Sequence, residues 1–519
     1  MTVGGEYSGE SQTGAEGARR FFAESLRQKD GADNNIGLLC FSGAVIRQLY
    51  FIFKEAFKME AKLLNIVATA NAYLSDYILI VLLIGVGLLF TIKTRFVQVR
   101  CFGEGMKKVF GNLKLSGGKN KSGLSSFQAL ATAIAAQVGT GNIVGASGAI
   151  LTGGPGAIFW MWIIAFLGMA TIYAEAVLAQ ETRVVDENGD VHGGPVYYIK
   201  KVFKGGFGSF LAIFFSIAAI LALGFMGSMV QSNSIAESMN TAFGVPGWIV
   251  GVILAVISAV IFIGGIQRIA SVTEKLVPIM ACLFLVGGLA VLIVNIKYIP
   301  ETFGMIFKYA FKPQAMIGGA FGAALKTAIS QGAKRGLFSN EAGMGSTPHA
   351  HAQANVEKPH DQGVVAMIGV FIDTFVVLTM TALVVISTLY AKGGDMWQTV
   401  TKTNAMQTAV SSTFSALGNF GNIFVAICLL FFAFSTVIGW NFFGKINVQY
   451  LFKNKKIATV IYSVIAIVFI FLGTIASNDL VWELTDFFNY LMVLPNAIAL
   501  IALANVVKKS AIFSKKNKK

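Results

Sequence analysis

Charged side chains are scarce in this chain. Asp, Glu, Lys and Arg make up 13% of its 519 residues, whereas soluble proteins carry about 25%. Hydrophobic residues make up 55%, and the mean hydropathy is +0.67. Repeated apolar runs of about twenty residues are each long enough to cross a bilayer. The composition therefore excludes a soluble multidomain protein and predicts an all-α polytopic membrane protein.

Cysteine is also scarce, with four scattered residues and no pair at a metal-binding or redox spacing. We expect free thiols packed as small apolar groups. They are Cys40, Cys101, Cys282 and Cys428. The sequence contains no HExxH, GxSxG or Walker A motif, so it predicts neither an enzyme nor a cofactor.

The net charge of +15 does not indicate nucleic-acid binding, because the basic residues lie in short loops between apolar runs. We interpret them as topology signals that face anionic lipid. The loop after the first run carries eight of them: Lys93, Arg95, Arg100, Lys107, Lys108, Lys114, Lys119 and Lys121. This loop should be cytoplasmic. In a protein of the cell membrane, the amino terminus then lies outside the cell and the tail 508–519 lies in the cytoplasm.

Residues 1–58 differ from the rest of the chain. Their one apolar run, 36–53, is interrupted by Arg47 and is too short for a confident span. They also lack the pattern of a signal peptide. We hypothesise that Met59 is the initiator, that 1–58 is disordered or extra, and that 59–519 is the transport domain.

The hydropathy pattern predicts about eleven spans. They lie near 74–92, 124–151, 155–180, 207–229, 246–265, 272–296, 315–345, 364–390, 418–442, 457–476 and 480–507. The seventh contains Lys326, Lys334, Arg335 and Glu341. We retain it because its removal would reverse every later loop and move basic segments outside.

The second span is interrupted by Gln137, Val138, Gly139, Thr140, Gly141 and Asn142. Such a break leaves backbone N–H and C=O groups without helical partners at membrane depth, where lipid cannot satisfy them. Substrate, ion or water must do so, and the break is our candidate binding site.

Spans two and seven share a short pattern. Thr132, Ala133 and Ile134 precede a glycine-rich stretch that ends at Gly141, and Thr327, Ala328 and Ile329 precede one that ends at Gly336. Five spans separate the copies, so they run in opposite directions across the membrane. This offset indicates two inverted five-helix repeats, about 124–296 and 315–507.

Three motifs closely resemble the alanine or glycine:cation symporter family. They are the run 138–142, the run 336–346, and Phe432 to Thr436 with Gly439 and Trp440. The similarity covers roughly 60–510. The resemblance implies a LeuT-type fold of five plus five inverted helices with one additional amino-terminal helix. It also implies sodium-coupled import of alanine or glycine.

A zwitterionic amino acid needs partners for both of its charges in a low-dielectric site. The amides of Thr140 and Gly141, at the start of a half-helix, suit the carboxylate. Unwound carbonyls near 336–339, helped by Gln137 or Ser339, suit the ammonium. The rings of Phe338 and Trp440 suit the wall of a small pocket, and the alternative for each is ordinary packing in a chain rich in Phe. The substrate-binding candidates are Gln137, Gly139, Thr140, Gly141, Asn142, Gly336, Leu337, Phe338, Ser339 and Trp440.

Sodium prefers carbonyl and hydroxyl oxygens. The family resemblance matches Ser435 and Thr436 to paired sodium-binding hydroxyls, which would act with the carbonyls of Ala135 and Val138. The alternative is that the two hydroxyls hydrogen-bond carbonyls of their own helix.

Ionisable residues inside a membrane face a cavity or a partner. Asp373 could assist gating or attract the ammonium, or it could make structural hydrogen bonds. Glu175 lies near the inner end of its span. We expect Arg335 and Glu341 to form a cytoplasmic-side ion pair, and His349 and His351 to be solvated in a cytoplasmic loop.

The interrupted spans predict a secondary transporter, and the family resemblance implies alanine or glycine as its substrate and sodium as its coupling ion. The runner-up is a symporter of the same fold for another small solute or coupled to protons. A channel is disfavoured because the breaks form an inverted pair within one chain. We predict lipid as the surrounding medium and no obligate protein partner.

Overall fold

The computed structural model describes residues 61–111, 124–187, 189–263, 265–312 and 321–513. Its contacts divide the chain into Met1–Leu63 and Leu64–Lys519, and the description below concerns the second unit. The predicted extension 1–58 lies outside the described residues. The described part is almost entirely helical, with one antiparallel hairpin of β1 (Val184–Val185) and β2 (Val191–His192). This confirms the all-α class.

The long helices correspond to the predicted spans in order. They are α1 (Ala61–Lys93), α2 (Ser126–Gln137), α3 (Gly141–Gly153), α4 (Ala157–Thr182), α5 (Gly205–Phe243), α6 (Gly247–Ile263), α7 (Gly265–Val294), α8 (Phe321–Asn340), α9 (Pro359–Lys392), α10 (Phe420–Leu451), α11 (Lys456–Gly473) and α12 (Asn478–Ala502). By length and apolarity, eight helices of the described part qualify as spans, or nine with the bent pair of α2 and α3.

Shorter helices occupy the connections: Val97–Arg100, Phe102–Phe110, Pro195–Val202, Ile299–Phe311, Pro348–Ala352, Ala405–Thr413 and Ala504–Phe513. Contacts also form between connections that lie on the same side of the membrane if successive spans alternate in direction. On the side predicted to be cytoplasmic, the Leu124 amide donates to the carbonyl of Gln353 at 2.8 Å. On the other side, the Nζ of Lys402 lies 3.0 Å from Asp479.

Helix α5 is longer than the sequence predicts. The predicted span ends at 229, with an external loop over 230–245, but the helix continues to Phe243 and ends at Gly244 with φ +68°. Its polar residues Gln231, Ser232 and Ser234 are buried against other helices. The prediction of an external loop is therefore wrong for residues 230–243. This stretch has low hydropathy because it is rich in polar residues, but these residues belong to a helix and are buried between helices.

The lysines of the seventh predicted span are compensated by α1. The Nζ of Lys326 lies 3.1 Å from Oδ2 of Asp76, and the Nζ of Lys334 lies 3.5 Å from Oδ1 of the same carboxylate. Ser330 donates to that carboxylate at 2.5 Å. One acidic residue of the additional helix thus pairs both cations, which explains how α8 carries charge within an apolar bundle.

Helices α4, α9 and α10 form the buried centre, whereas α6, α7 and α11 present apolar side chains outward. Exposed residues of this kind include Val256, Ile279 and Val464. Helices that are apolar on all faces are expected where one face meets lipid. Most of α2 and α3 and the second half of α8 are buried as well, so the two breaks lie inside the bundle.

Candidate functional site

The predicted break in the second span is present. Helix α2 begins with a capping box of Ser125 and Gln128 and ends at Val138, whose φ of −82° and ψ of 89° are not helical. The chain then bends by 46° into α3. The side-chain oxygen of Asn142 accepts from the Gly139 amide at 3.0 Å, so a side chain replaces one missing helical partner at this depth.

The second break lies after Gly336, not at it. Helix α8 continues through Gly336 to Asn340, and the Glu341 amide still donates to the Leu337 carbonyl at 2.9 Å. The irregular stretch follows, where Glu341, Gly343 and Gly345 have positive φ values of 57°, 93° and 82°. A glycine inside a helix costs only about 1 kcal/mol, so Gly336 alone does not end α8.

This position changes the reading of the repeat motif. Thr132 lies five residues before the end of α2, whereas Thr327 lies thirteen residues before the end of α8. The two copies of the pattern are therefore not at equivalent distances from the breaks. Both interrupted helices exist, but the shared three-residue pattern does not mark corresponding points in them.

The two breaks contact each other and α9. Gln137 donates through Nε2 to the carbonyl of Asn340 at 2.7 Å. Asp373 of α9 accepts from Nδ2 of Asn142 at 2.6 Å and from Oγ of Ser339 at 2.8 Å. Asp373 thus makes structural hydrogen bonds to both interrupted helices. Asn142 and Asp373 each lie in a π-helical segment, a feature that occurs often at functional sites.

Two glycines allow the backbones to approach. A Cβ at Gly139 would lie 2.3 Å from Oγ1 of Thr436, and one at Gly141 would lie 3.0 Å from Cδ1 of Phe338. No side chain fits at the first position without displacing its neighbour, and the second is tighter than ordinary contact. Glycine is therefore required sterically where the break of α2 meets α8 and α10.

The predicted sodium-binding residues lie together. Oγ1 of Thr436 lies 2.9 Å from the carbonyl of Ala135 and 3.4 Å from that of Val138, and Oγ of Ser435 lies 3.2 Å from the carbonyl of Ala135. Both hydroxyls also contact the carbonyl of Phe432 in their own helix, at 2.8 and 3.1 Å. The alternative of local helix bonding is therefore present together with the cluster of four oxygens.

Gln231 was not among the predicted site residues. Its Oε1 accepts from the Thr140 amide at 3.1 Å, so that amide has a protein partner and does not face an open site. Nε2 of Gln231 is buried and has no hydrogen-bond partner among the described residues. The only sequence signal was the helical periodicity of polar residues beyond the predicted end of the fourth span.

Three aromatic rings meet beside the breaks. The ring of Phe338 lies 5.7 Å from that of Trp440 and 4.8 Å from that of Trp482, measured between centroids. The indole of Trp440 donates to the carboxylate of Glu341. Trp482 was not predicted, because it lies at the start of α12 and far from the motifs in sequence.

The predicted ion pair between Arg335 and Glu341 is absent. Nη1 of Arg335 lies 3.1 Å from Oδ2 of Asp486, and the guanidinium lies 4.7 Å above the ring of Trp482. Glu341 instead accepts from Ser346 and Trp440. A separation of six residues points two side chains to different faces of a helix, and Glu341 lies beyond the end of α8.

Glu175 holds the second break. Its carboxylate accepts from the amides of Gly343 and Gly345 at 3.1 and 3.0 Å, and from Nδ2 of Asn496 at 2.6 Å. These two amides lie where α8 has ended and no helical carbonyl is in register. The carboxylate of α4 thus supplies acceptors for otherwise unpaired backbone donors at membrane depth.

His349 and His351 are buried, which corrects the expectation that they are solvated. Nδ1 of His351 contacts Gln362 at 2.9 Å, and Nε2 of His349 contacts Asn447 at 3.0 Å. Burial lowers the pKa of His349 to about 4 and that of His351 to about 3, because desolvation disfavours the charged ring. Both histidines pack the loop that follows the second break.

The pair of Arg335 and Asp486 lies beside Trp482, on the side of the breaks from which α8 approaches. We expect Arg335→Ala or Asp486→Ala alone to lower transport at least tenfold, since breaking a buried ion pair costs about 3–5 kcal/mol. When the losses in uptake rate are expressed as free energies, the loss in the double mutant should be smaller than the sum of the losses in the two single mutants. Initial uptake rates of the four proteins, at equal amounts in vesicles, measure this coupling. Additive losses would show that the pair is not a coupled unit.

Comparisons with known proteins identify the family of this chain. The model of the sodium:alanine symporter family matches residues 59–519. The sodium/alanine symporter AgcS of Methanococcus maripaludis is 42% identical over 447 residues, which cover 85% of this chain and 95% of AgcS. The probable sodium/glutamine symporter GlnT of Bacillus subtilis is 39% identical and covers 86% of this chain and 90% of GlnT.

The amino-acid carrier protein AlsT of Bacillus subtilis is 38% identical over 84% of this chain and 89% of AlsT. Among solved structures, MhsT in complex with L-phenylalanine matches with a TM-score of 0.53 at 14% identity, over 76% of this chain and 100% of MhsT. That likeness shows the LeuT-type fold. With its interrupted helices and its similarity over nearly its full length to these transporters, the chain belongs to the sodium:alanine symporter family.

Proposed function

We propose that this transporter couples inward movement of sodium to uptake of a small neutral amino acid, alanine or glycine, by alternating access. The observation that carries the proposal is the meeting of the two breaks, where Gln137 of α2 binds the Asn340 carbonyl of α8 at 2.7 Å. Interrupted helices that meet inside a bundle supply charged helix ends for a zwitterion and carbonyls for a cation.

The substrate carboxylate binds at the start of α3 in this proposal. The Gly141 amide lies at the positive end of that half-helix. Gln231 already binds the Thr140 amide, and its Nε2 is a second buried donor, without a partner in the part of the chain that the structure describes. A substrate carboxylate that replaces Oε1 of Gln231 as the acceptor of the Thr140 amide would satisfy both that amide and Nε2 of Gln231. Gln231 thus joins Gly139, Thr140, Gly141 and Asn142 in the proposed site.

The ammonium group binds at the end of α8. The last carbonyls of a helix lack intrahelical donors and carry the negative end of its dipole. The backbone of Ser339, in this last turn, lies against Gly141, because a Cβ on that glycine would lie 3.1 Å from the Cα of Ser339. Asp373, held by Asn142 and Ser339, adds carboxyl oxygens at the same place. Gly336 and Leu337 support this turn from within the helix.

The aromatic cluster limits substrate size. Phe338 and Trp440 are buried and meet edge to face, with Trp482 on the other side of Phe338. Rigid rings around a glycine-lined break leave room for a methyl group more readily than for a long side chain. Size exclusion by these rings supports alanine or glycine over larger neutral amino acids.

The driving force is sufficient for accumulation. One sodium ion moving through a membrane potential of 100 mV releases about 2.3 kcal/mol. Since about 1.4 kcal/mol corresponds to a tenfold ratio, one ion supports a roughly fifty-fold solute gradient.

We place the amino terminus outside, the carboxyl terminus in the cytoplasm, and the inverted repeats at about 124–296 and 315–507.

Uptake by the purified full-length protein in vesicles tests the function. We expect accumulation of labelled alanine only with an inward sodium gradient, and competition by unlabelled alanine or glycine. A relative is named for glutamine, so glutamine is the first competitor to compare. Undiminished uptake in a proton gradient without sodium, or competition by glutamine alone, would favour the runner-up symporter of another solute or ion.

Thr436 tests the proposed sodium site. Thr436→Val keeps the shape of the side chain and removes the hydroxyl that contacts the carbonyls of Ala135 and Val138. We expect the sodium concentration for half-maximal uptake to rise about tenfold, since a lost polar contact costs about 1–1.5 kcal/mol. Alanine affinity at saturating sodium should change much less.

Thr436→Ser provides the matched control because it keeps the hydroxyl, and it should restore most of the sodium affinity. Ser435→Ala should raise the sodium requirement in the same direction. Equal sodium dependence of the wild type and Thr436→Val would contradict the assignment of this oxygen cluster.

A further inference from the structure

A cluster of three chemically different ligand side chains lies outside the transport site. We call it the Cys101–Glu104–His360 cluster. Their ligand atoms, one sulfur, one carboxylate oxygen and one ring nitrogen, all lie within 4.8 Å of one another. Cys101 and Glu104 lie at the start of the helix Phe102–Phe110, and His360 lies in the first turn of α9.

The ring of His360 is prepared for a ligand role. The residue is 3% exposed, and its Nδ1 lies 2.7 Å from the hydroxyl of the buried Tyr173. Its Nε2 has no hydrogen-bond partner among the described residues, and Oε1 of Glu104 is 3.6 Å away. A histidine that binds a metal typically engages its other nitrogen in such an outer contact, which fixes the ring and its tautomer.

The distances suit a small divalent cation. Bonds of about 2.0–2.3 Å to nitrogen, oxygen and sulfur in a tetrahedron place neighbouring ligand atoms roughly 3.3–3.7 Å apart. The 3.6 Å between His360 and Glu104 already has this value. The other separations, all within 4.8 Å, need to close by about 1.5 Å at most.

We propose that the Cys101–Glu104–His360 cluster binds a divalent transition metal of borderline softness, with Zn²⁺ as the best match. Thiolate, imidazole and carboxylate together select zinc over magnesium or calcium, which take oxygen ligands. Three protein ligands leave the fourth position to water. The Cys101 thiol releases its proton when the metal binds.

Access and charge at the cluster are compatible with a cation. The side chain of Glu104 is 32% exposed, so the metal can reach the buried thiol and imidazole from that side. Lys108, one turn further along the helix, lies 3.2 Å from Asp361. Its positive charge is thus compensated by a carboxylate next to His360. With the Cys101 thiol deprotonated, the cluster balances a divalent charge.

The position of the cluster gives the metal a structural consequence. It would link the helix after α1 to the first turn of α9, the helix that carries Asp373 further along. No sequence motif indicates this site, because Cys101 and Glu104 are separated from His360 by more than 250 residues. Only the packing of the helix Phe102–Phe110 against α9 brings the three ligands together.

Cobalt substitution tests the proposal directly. We would titrate the purified, metal-free, full-length protein with Co²⁺ and record its absorption. Tetrahedral Co²⁺ bound to a thiolate should give a near-ultraviolet charge-transfer band that saturates at one ion per chain and disappears when Zn²⁺ is added. Cys101→Ser should abolish this band, while Glu104→Gln and His360→Gln should weaken binding at least tenfold.

Cys282→Ser is the matched control, because Cys282 is exposed and lies on α7 away from the cluster. It should leave the cobalt spectrum unchanged. Size-exclusion profiles identify any variant that fails to fold, and the two Gln variants keep the test valid if Cys101→Ser does so. A wild-type protein without the band, or a band that survives in Cys101→Ser, would overturn the proposal.

Discussion

Replacement of Gly139 by alanine is expected to reduce sodium-dependent alanine uptake at least about fivefold. The added Cβ would lie 2.3 Å from Oγ1 of Thr436 and 3.1 Å from Oε1 of Gln231. Such overpacking costs about 1–3 kcal/mol, or roughly 5- to 150-fold in an equilibrium. It would displace one proposed sodium ligand and one proposed substrate contact together. Initial uptake rates over a range of sodium concentrations measure the effect.

Gly148→Ala is the matched control for this prediction. Gly148 lies in α3, a short distance beyond the break, and a Cβ there would meet Lys402 at an ordinary 3.4 Å. This variant should transport alanine like the wild type. Normal uptake and sodium dependence in Gly139→Ala would show that the close contact of the break with α10 is not needed for transport.

Replacement of Glu175 by leucine is expected to destabilise the folded protein severely. The change removes the acceptor of the Gly343 and Gly345 amides and one of the two acceptors of the Nδ2 group of Asn496, which keeps only the Gly343 carbonyl at 2.9 Å. Each buried unsatisfied donor costs about 1–3 kcal/mol, and the total is comparable to the whole stability of a typical domain. Thermal unfolding in detergent, followed by the loss of the monodisperse peak, measures this change.

Two variants separate the role of Glu175 from general effects of losing a charge. Glu175→Gln keeps one acceptor oxygen and should lose less stability than Glu175→Leu. Glu181→Leu alters an exposed carboxylate near the end of the same helix and should leave the unfolding temperature nearly unchanged. If Glu175→Leu unfolds at the wild-type temperature, the carboxylate is not the main support of the second break.

The two breaks in the bundle are joined to each other, and the two predictions above test one break each. Gly139 tests close approach at the break of α2, and Glu175 tests the support of the break after α8. The hydrogen bonds from Gln137 to Asn340 and from Asn142 to Asp373 join the halves. A change on one side therefore affects the geometry on the other, which a transporter that alternates between two states requires.

The sequence by itself determined the class of the protein and the first break. Long apolar runs allow only helical spans in lipid. The stretch from Gln137 to Asn142 interrupts such a run with glycines and amides. The resemblance in three motifs led to the family that the comparisons show. Ser435 and Thr436 are adjacent in sequence, so a single motif was enough to propose them together as sodium ligands.

The tertiary structure alone decided which distant residues meet. Gln231, Trp482 and Asp486 complete the site from helices that the motifs do not include. The end of α8 at Asn340, and not at Gly336, depends on acceptors that Glu175 supplies from α4. Likewise Arg335 pairs with Asp486 and not with Glu341. Hydropathy and local motifs report the cost of leaving a group in lipid, but the partner that removes this cost is set by helix packing.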